Sequence, residues 1–295
     1  MTADADDAET LCGAAIADAA ASAGDRAQAL RARAELRVRA RRYDDAIADA
    51  SAALAVWTKS GDSFETARSY LARGNARLQR GDDAAAFADL DGAVDSMPNV
   101  PEFRALRGFA ALSADRAAAA RADFDAAIEG GSSTARGMDL VLVAANDDRA
   151  DAYWGRGLVH LFAGQYDDAA ADLTESLSRK PGAAAIWLHY ARLRQGRDDK
   201  AELAANAAKL PPKSREAAIL AMFEGDATDA RVNDIASGLQ GSDGACEGIL
   251  AIAEWNRFAR HDDATAARAY RAVAGICPRS PDVAFAKSAL ANLPR

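Results

Sequence analysis

Aromatic residues make up only 6% of this 295-residue chain, and proline occurs 8 times, cysteine 3 times and histidine 3 times. Each shortage excludes something. The three histidines are His160, His189 and His261; His160 and His189 have no cysteine or carboxylate at ligand spacing, so no metal site is expected. No GxSxG, Walker loop, HExxH or CxxC occurs, which removes the common hydrolase, nucleotide-binding, zinc-protease and dithiol motifs and implies no cofactor. Val, Ile and Thr never gather into alternating runs, so strands are not expected. No stretch approaches the roughly 20 apolar residues that a membrane span needs. Positive charge is not in excess either: the net charge is −8, and a phosphate backbone rewards clustered cations, so nucleic acid is not an expected partner. The N-terminal MTADADDAETLCGAA has neither a basic nor an apolar region of a signal peptide, and TLC around Cys12 is no lipobox. Either the chain is cytoplasmic or a leader has been removed ahead of it.

What the chain has is alanine. Half of its residues are hydrophobic, enough for a large core in one elongated or two compact bodies. Runs such as AAIADAAASAGDRAQALRARAEL read as helix, because alanine gives up the least side-chain freedom there. Arginine is dense from Arg26 to Arg42, but Asp44, Asp45 and Asp49 follow, so this reads as a solvated helix face.

A repeat organises the rest. Gly74 and Gly108 stand 34 residues apart, and a 34-residue unit starting at Ala67 places Gly74 at position 8 and Gly81 at position 15. Ala86, Leu90, Ala93 and Pro98 then fall at positions 20, 24, 27 and 32. A unit from Pro101 repeats this with Gly108, Ala120, Phe124 and Ala127. In YWGRGLVHLFAGQYDDAAADLTESLSRKP (153–181), a unit from Ala150 sets Tyr153, Gly157, Gly164, Ala169, Leu173 and Pro181 at the corresponding places. Upstream, Ala34, Ala46, Ala50 and Ala53 fit, and downstream Trp187 and Ala191 open a further unit with an irregular turn. Small residues at positions 8, 20 and 27 let two antiparallel helices approach, and larger ones at 4 and 24 fill between them. A glycine at 15 caps the first helix and a proline at 32 stops the second. The aspartate pairs at 44–45, 82–83, 167–168 and 262–263 recur at helix starts and read as N-caps and dipole partners rather than catalytic acids.

This pattern resembles the tetratricopeptide repeat (TPR), over about three quarters of the chain. The resemblance implies an all-α fold of tandem helix–turn–helix units stacked in a right-handed superhelix, an α-solenoid. The expected organisation is an N-terminal capping helix or tail over 1–24, units 1–3 over 25–131 and an insertion over 132–149. Units 4 and 5 begin over 150–197, an irregular helical segment follows over 198–245, and a hairpin with a capping helix closes 246–295. MDLVLVAAN in the insertion reads as a short helix after a Gly130-Gly131-Ser132 break, LCGAAIADAAAS (11–22) as a lone helix, and SREAAILAMFEGDATDARVNDIASGLQ as two helices around Gly225 and Asp226.

In the last hairpin Cys246 opens the first helix and Cys277 closes the second, so both lie at one end. Either they form a disulfide, which requires an oxidising compartment, or they are two buried free thiols.

In TPR proteins positions 2, 5, 9, 12 and 13 of the first helix line an inner groove. The resemblance therefore implies a partner-binding surface of Arg31, Glu35 and Arg39, then Arg68, Leu71, Asn75 and Gln79, then Phe109. Trp154, Leu158, Leu161, Phe162, Leu188, Arg192, Arg257 and Phe258 continue it. That groove reads as basic and polar early and apolar-aromatic in the middle. An exposed Trp154–Leu158–Phe162 stripe would suit a partner helix or peptide, unless the C-terminal helices fold back over it. The carboxylate clamp of chaperone-binding TPR proteins is not met, since Leu71 stands where its lysine belongs and Glu102 where a cation belongs. Regular repeats followed by an irregular pair and a Cys-to-Cys hairpin look like the NlpI-type TPR proteins of the bacterial envelope. That likeness implies a non-enzymatic periplasmic adaptor, often dimeric, that docks envelope proteases or hydrolases. The other expectation is a cytoplasmic adaptor or chaperone of a secretion or regulatory system.

Overall fold

The structure, a computed structural model, describes residues 3–98, 100–130, 149–224, 234 and 245–293. Among them stand fifteen helices and no strand, as the alanine-rich, strand-poor sequence requires. The segment MDLVLVAAN, the Gly131-Ser132 part of the break, and the second helix expected after Gly225 lie outside the described residues. Among the described residues no helix is long and apolar enough to cross a membrane.

The chain divides into two compact units, Met1–Ala110 and Ala111–Arg295. The first holds α1 (Ala3–Ala17), α2 (Ala23–Arg39), α3 (Tyr43–Ser60), α4 (Ser63–Arg80), α5 (Asp83–Ser96) and the start of α6 (Pro101–Ser113). Helices α2/α3 and α4/α5 are antiparallel pairs, α3 packs on α4, and α1 packs on α2. The alanine positions are where the helices meet: Ala34, Ala46, Ala50, Ala72 and Ala76 form one buried cluster joined by Val38 and Ile47. A second joins Ala67, Ala93, Val94 and Phe103. The approach is close enough that a Cβ at Gly74 would lie 3.2 Å from the Ala86 carbonyl oxygen and from Asp89 Cβ.

Helix α1 starts earlier and ends earlier than the 11–22 stretch suggests, because Ser22 is the N-cap of α2 in a capping box with Asp25. The turn between paired helices needs a left-handed residue. Gly81 supplies it at φ 101°, and at the equivalent places Arg41 and Asp115 are forced to φ 59° and 63°. Of the aspartate pairs, only Asp262 caps through its side chain, accepting from Thr265 N at 2.9 Å. Asp44, Asp45, Asp167 and Asp168 stand one or two residues inside their helices, where the positive end of the helix dipole favours them.

The second unit runs from α7 (Ala117–Glu129) through α8 (Arg149–Phe162), α9 (Tyr166–Arg179) and α10 (Ala184–Gln195), each packed on the next. The period then breaks into two short helices, α11 (Lys200–Ala207) and α12 (Arg215–Ala221). It returns with α13 (Ala245–Phe258), α14 (Asp263–Ile276) and α15 (Pro281–Ala291). Helix α15, started by the Ser280 N-cap and Pro281, packs on α14 and also reaches back to α8.

Candidate functional site

A feature the sequence reading missed holds the repeats together. Asp89, at position 23 of its unit, accepts from Arg73 Nη2 at 2.7 Å, Arg73 Nε at 3.0 Å and Arg77 Nη1 at 2.8 Å. The same clasp joins Asp49 to Arg33 at 2.7 and 2.8 Å and to Arg37 at 2.7 Å. Arg156 grips Asp172 with two bonds of 2.8 Å. The position-7 arginine also reaches position 25 of the preceding unit: Arg73 to Ser51 Oγ, Arg107 to Asp91 at 2.7 Å, and Arg156 to Asp125 at 2.9 Å. One guanidinium thus pins its own hairpin and its neighbour. Hydrogen bonds donated to Asp172 and Asp125 outweigh the cost of burial and hold Arg156 above its ordinary pKa.

Of the arginines between Arg26 and Arg42, Arg33 and Arg37 are therefore not part of a solvated face, while Arg39, Arg41 and Arg42 stay exposed. Arg33 and Arg37 belong to the Asp49 clasp, and Arg37 and Arg42 also bind Glu9 of α1. The spacing of sixteen residues between arginine and aspartate, recurring as Arg33/Asp49, Arg73/Asp89, Arg107/Asp123 and Arg156/Asp172, was the available signal.

Within the first unit, Arg31 is not the open cation that the groove reading assumed. It is buried, with Nη1 on Glu35 at 2.8 Å and Nε 3.4 Å from Glu65. Packing of α2 against α4 brings Glu65 to it, while Glu35 lies one turn further along α2 itself. Arg39, Arg68 and Asn75 are exposed, Arg68 lying 5.7 Å over the Phe64 ring, while Leu71 leans on the Phe103 cluster. Gln79 and Phe109 are half-buried.

In the second unit the apolar stripe is covered. Leu158 is fully buried, Leu161 and Leu188 nearly so, and Trp154 and Phe162 are half-buried. Phe285 of α15 sits 5.6 Å from the Phe162 ring, 5.2 Å from Trp187 and 5.9 Å from Tyr190. Ser288 Oγ donates to the Phe162 carbonyl oxygen at 2.9 Å. The expectation of an exposed Trp154–Leu158–Phe162 stripe is corrected: Leu158 is buried, and the chain's own last helix lies on Phe162 through Phe285 and Ser288, which takes both apolar rings out of water.

Charges hold this arrangement from behind. Glu254, fully buried, receives Arg194 at 2.5 and 3.0 Å and the Tyr270 hydroxyl. Burial disfavours the Arg194 charge, but Glu254 more than restores it. Burial and Glu254 together raise the Tyr270 phenol, so it stays a donor. The Arg194 guanidinium lies 4.6 Å over Phe285 and 5.2 Å over Phe258. Arg192 is spent on Glu202 at 2.8 and 3.1 Å, and Arg257 donates to the Asn292 carbonyl oxygen at 3.3 Å. Cys246 and Cys277 form a disulfide with their Cα atoms 6.0 Å apart, just before α15 begins. Cys12 is a free thiol on α1.

The break in the repeat leaves a cavity of about 330 Å³. Leu193, Leu203, Met222, Phe223, Trp255 and Phe258 wall it. His189 lines it too, its Nδ1 2.7 Å from Asp199 Oδ2 and its ring 4.5 Å from that of Phe223. The buried Nε2 of His189 has no hydrogen-bond partner, a state that costs about 1–3 kcal/mol for a typical buried polar atom. His160, by contrast, is satisfied by Gln165 at 2.8 Å. Among the described residues no three histidine, cysteine or acidic side chains converge to hold a metal.

No family model matches the chain, and no curated protein does. Among solved structures it is similar to the C-terminal part of a TPR repeat-containing protein from Cytophaga hutchinsonii, at TM-score 0.45 and 12% identity over 96% of this chain and 94% of that one. It is also similar to the human IFIT1 dimer solved with m7Gppp-AAAA, at TM-score 0.42 and 14% identity, covering 96% of this chain and 66% of IFIT1. The assignment as stacked helix pairs rests on the repeat geometry itself.

Proposed function

We propose that this protein is a non-enzymatic scaffold that docks segments of other proteins on the inner faces of its helix pairs. The observation that carries the reading is α15: a short helix with an aromatic anchor, Phe285, already occupies the inner face of the second unit. A face that takes a helical segment in cis has the shape and chemistry to take one in trans. The first unit offers Arg39, Arg68 and Asn75 exposed on the equivalent face. The clasp arginines are committed to aspartates, which argues against phosphate binding by them.

The compartment we infer is the bacterial periplasm, with envelope proteases or hydrolases as partners, and the Cys246–Cys277 bridge supports it because such bonds persist in oxidising surroundings. A cytoplasmic adaptor is the alternative. Two experiments test the reading. A photo-crosslinking residue at Asn75, in the native host, is expected to capture protein partners that the same residue at Ala88 on the opposite helix does not; equal capture at both sites counts against groove docking. Thiol trapping before lysis separates the compartments: Cys246 and Cys277 protected before reduction support the periplasm, and both blocked by the alkylating reagent sink it.

A further inference from the structure

The hold of α15 on the second unit is concentrated on one ring. Phe285 fills a site made by the rings of Phe162, Trp187 and Tyr190, and the Arg194 guanidinium, fixed by buried Glu254, lies over it. Phe285, Ser288 and Ala289 share one face of α15 at i, i+3 and i+4, the spacing by which a docked helix is read. Ser288 adds its hydrogen bond to the Phe162 carbonyl oxygen, and Val283, Ala286 and Ala289 are the small buried side chains around the ring. The attachment of α15 is slight. The Cys246–Cys277 bridge staples the end of α14 to the start of α13, and only Pro278, Arg279 and Ser280 separate that staple from α15. The helix is therefore able to lift away while the hairpin behind it stays closed. One feature of the docked state works against it: Asp282 goes in near Tyr190 and Arg215 with no ion pair among the described residues, and burial raises its carboxyl to about 6.

We propose that α15 is a displaceable latch, and that the site beneath it takes in its place a helical segment of a partner protein with the same chemistry: one aromatic ring, a hydroxyl three residues on and small side chains around them. The aromatic ring is specified by Arg194, because a guanidinium over the ring face favours an aromatic anchor over an aliphatic one of similar size. This rests on the docking reading above and adds a control to it: the inner face of the second unit is open to a partner only while α15 is lifted, so the apparent affinity for that partner scales with the unlatched fraction.

The test uses the full chain and a fluorescent peptide of residues 278–295, with binding read by anisotropy. Lys287 is exposed in the middle of α15, so Lys287→Pro breaks that helix without touching the lining of the site. The peptide is expected to bind Lys287→Pro saturably and at least about tenfold more tightly than the unaltered chain, whose site is occupied. A peptide carrying Phe285→Ala is expected not to bind, and one carrying Phe285→Leu to bind several-fold more weakly. Amide exchange of the unaltered chain in low urea gives an independent reading: α15 is expected to open while α14 stays protected. No binding to either protein, equal binding to both, or equal binding of the Phe285→Ala peptide overturns the inference. So do α15 and α14 exchanging together with one urea dependence, and a Lys287→Pro chain that unfolds as a whole, since either makes α15 part of the body. Capture at Asn75 in the first unit does not involve α15, so the docking reading and the latch fail separately.

Discussion

Replacing Asp89 by alanine asks whether the arginine clasps carry the stack. Its carboxylate is only 3% exposed, and it is the shared acceptor of Arg73 and Arg77, whose side chains keep 18% and 23% exposure. Asp89→Ala strands two guanidinium groups that have little water to turn to. Removing one partner of a buried pair costs about 3–5 kcal/mol, and the remaining exposure of the arginines places the expected loss near the lower end, at about 3 kcal/mol. Arg77→Ala leaves the bidentate Arg73 bond intact and is expected to cost about 1 kcal/mol. The combination Asp89→Leu with Arg73→Met and Arg77→Met replaces the charges by apolar groups of similar volume and is expected to recover most of the loss, since such exchanges are often neutral. The assay is urea unfolding by circular dichroism, with amide exchange in α4 and α5 to localise the effect, because stacked repeats open unit by unit. Raising the salt to about 0.5 M is expected to change little, screening being weak for buried pairs. A loss below about 1 kcal/mol for Asp89→Ala, or a strong salt dependence, would refute the clasp as a stabilising element and reduce it to a surface pair.

Gly155 lies in α8 where an added Cβ would stand 2.2 Å from the fully buried Phe124 ring, so Gly155→Ala is expected to lower stability by about 2 kcal/mol despite its better helix propensity. Gly275, with nothing within 4 Å, is expected to give the opposite sign, up to about 1 kcal/mol gained on Gly275→Ala; urea midpoints compare the two. Replacing Cys246 and Cys277 together by serine opens a loop with a sequence separation of 31, and about 3–4 kcal/mol should be lost relative to the oxidised protein in equilibrium unfolding. Burial raises the Asp282 carboxyl to about 6 from its ordinary 3.8, against the smaller pull of Ser280 and Arg215. The docked helix therefore holds this proton more tightly than the free one. Its docking is strongest below about pH 4 and weakens as pH rises through about 6. Intrinsic-rate-corrected amide exchange in α15 should slow from pH 7.5 to 5.5, and Asp282→Asn should flatten the profile.

The repeat was legible because close helix approach leaves a mark that nothing else leaves. Only small residues fit at positions 8, 20 and 27, and alanine or glycine stands there at the 34-residue period. The turns were legible where glycine fills the left-handed place, as Gly81 and Gly164 do, and hidden where Arg41, Asp115 and His261 are held there by the packing on either side. Gly155 shows the limit of a position rule. It belongs to no repeat position that demands a small residue, and only the Phe124 ring across the helix pair explains it.

The inner surface was less legible, for a physical reason. Periodicity says which face of a helix points inward, but not what else comes to lie on that face. Trp154, Leu158 and Phe162 share the face expected of a groove, and so they read equally as a docking stripe or as the floor beneath another helix. The deciding residues are Phe285 and Ser288, more than a hundred residues away in PDVAFAKSALA, a segment whose small apolar side chains give no sign of their destination. The same limit applies to charge. An arginine on a helix reads by default as solvated, and Arg31, Arg33 and Arg37 lose that default only when Glu65 and Asp49 arrive from neighbouring helices. His189 is the sharpest case, because ten residues separate it from Asp199 and no helical spacing joins them. The left-handed turn at Gly196 brings the pair together, and it does so where the repeat fails and irregular packing leaves a buried nitrogen beside a cavity.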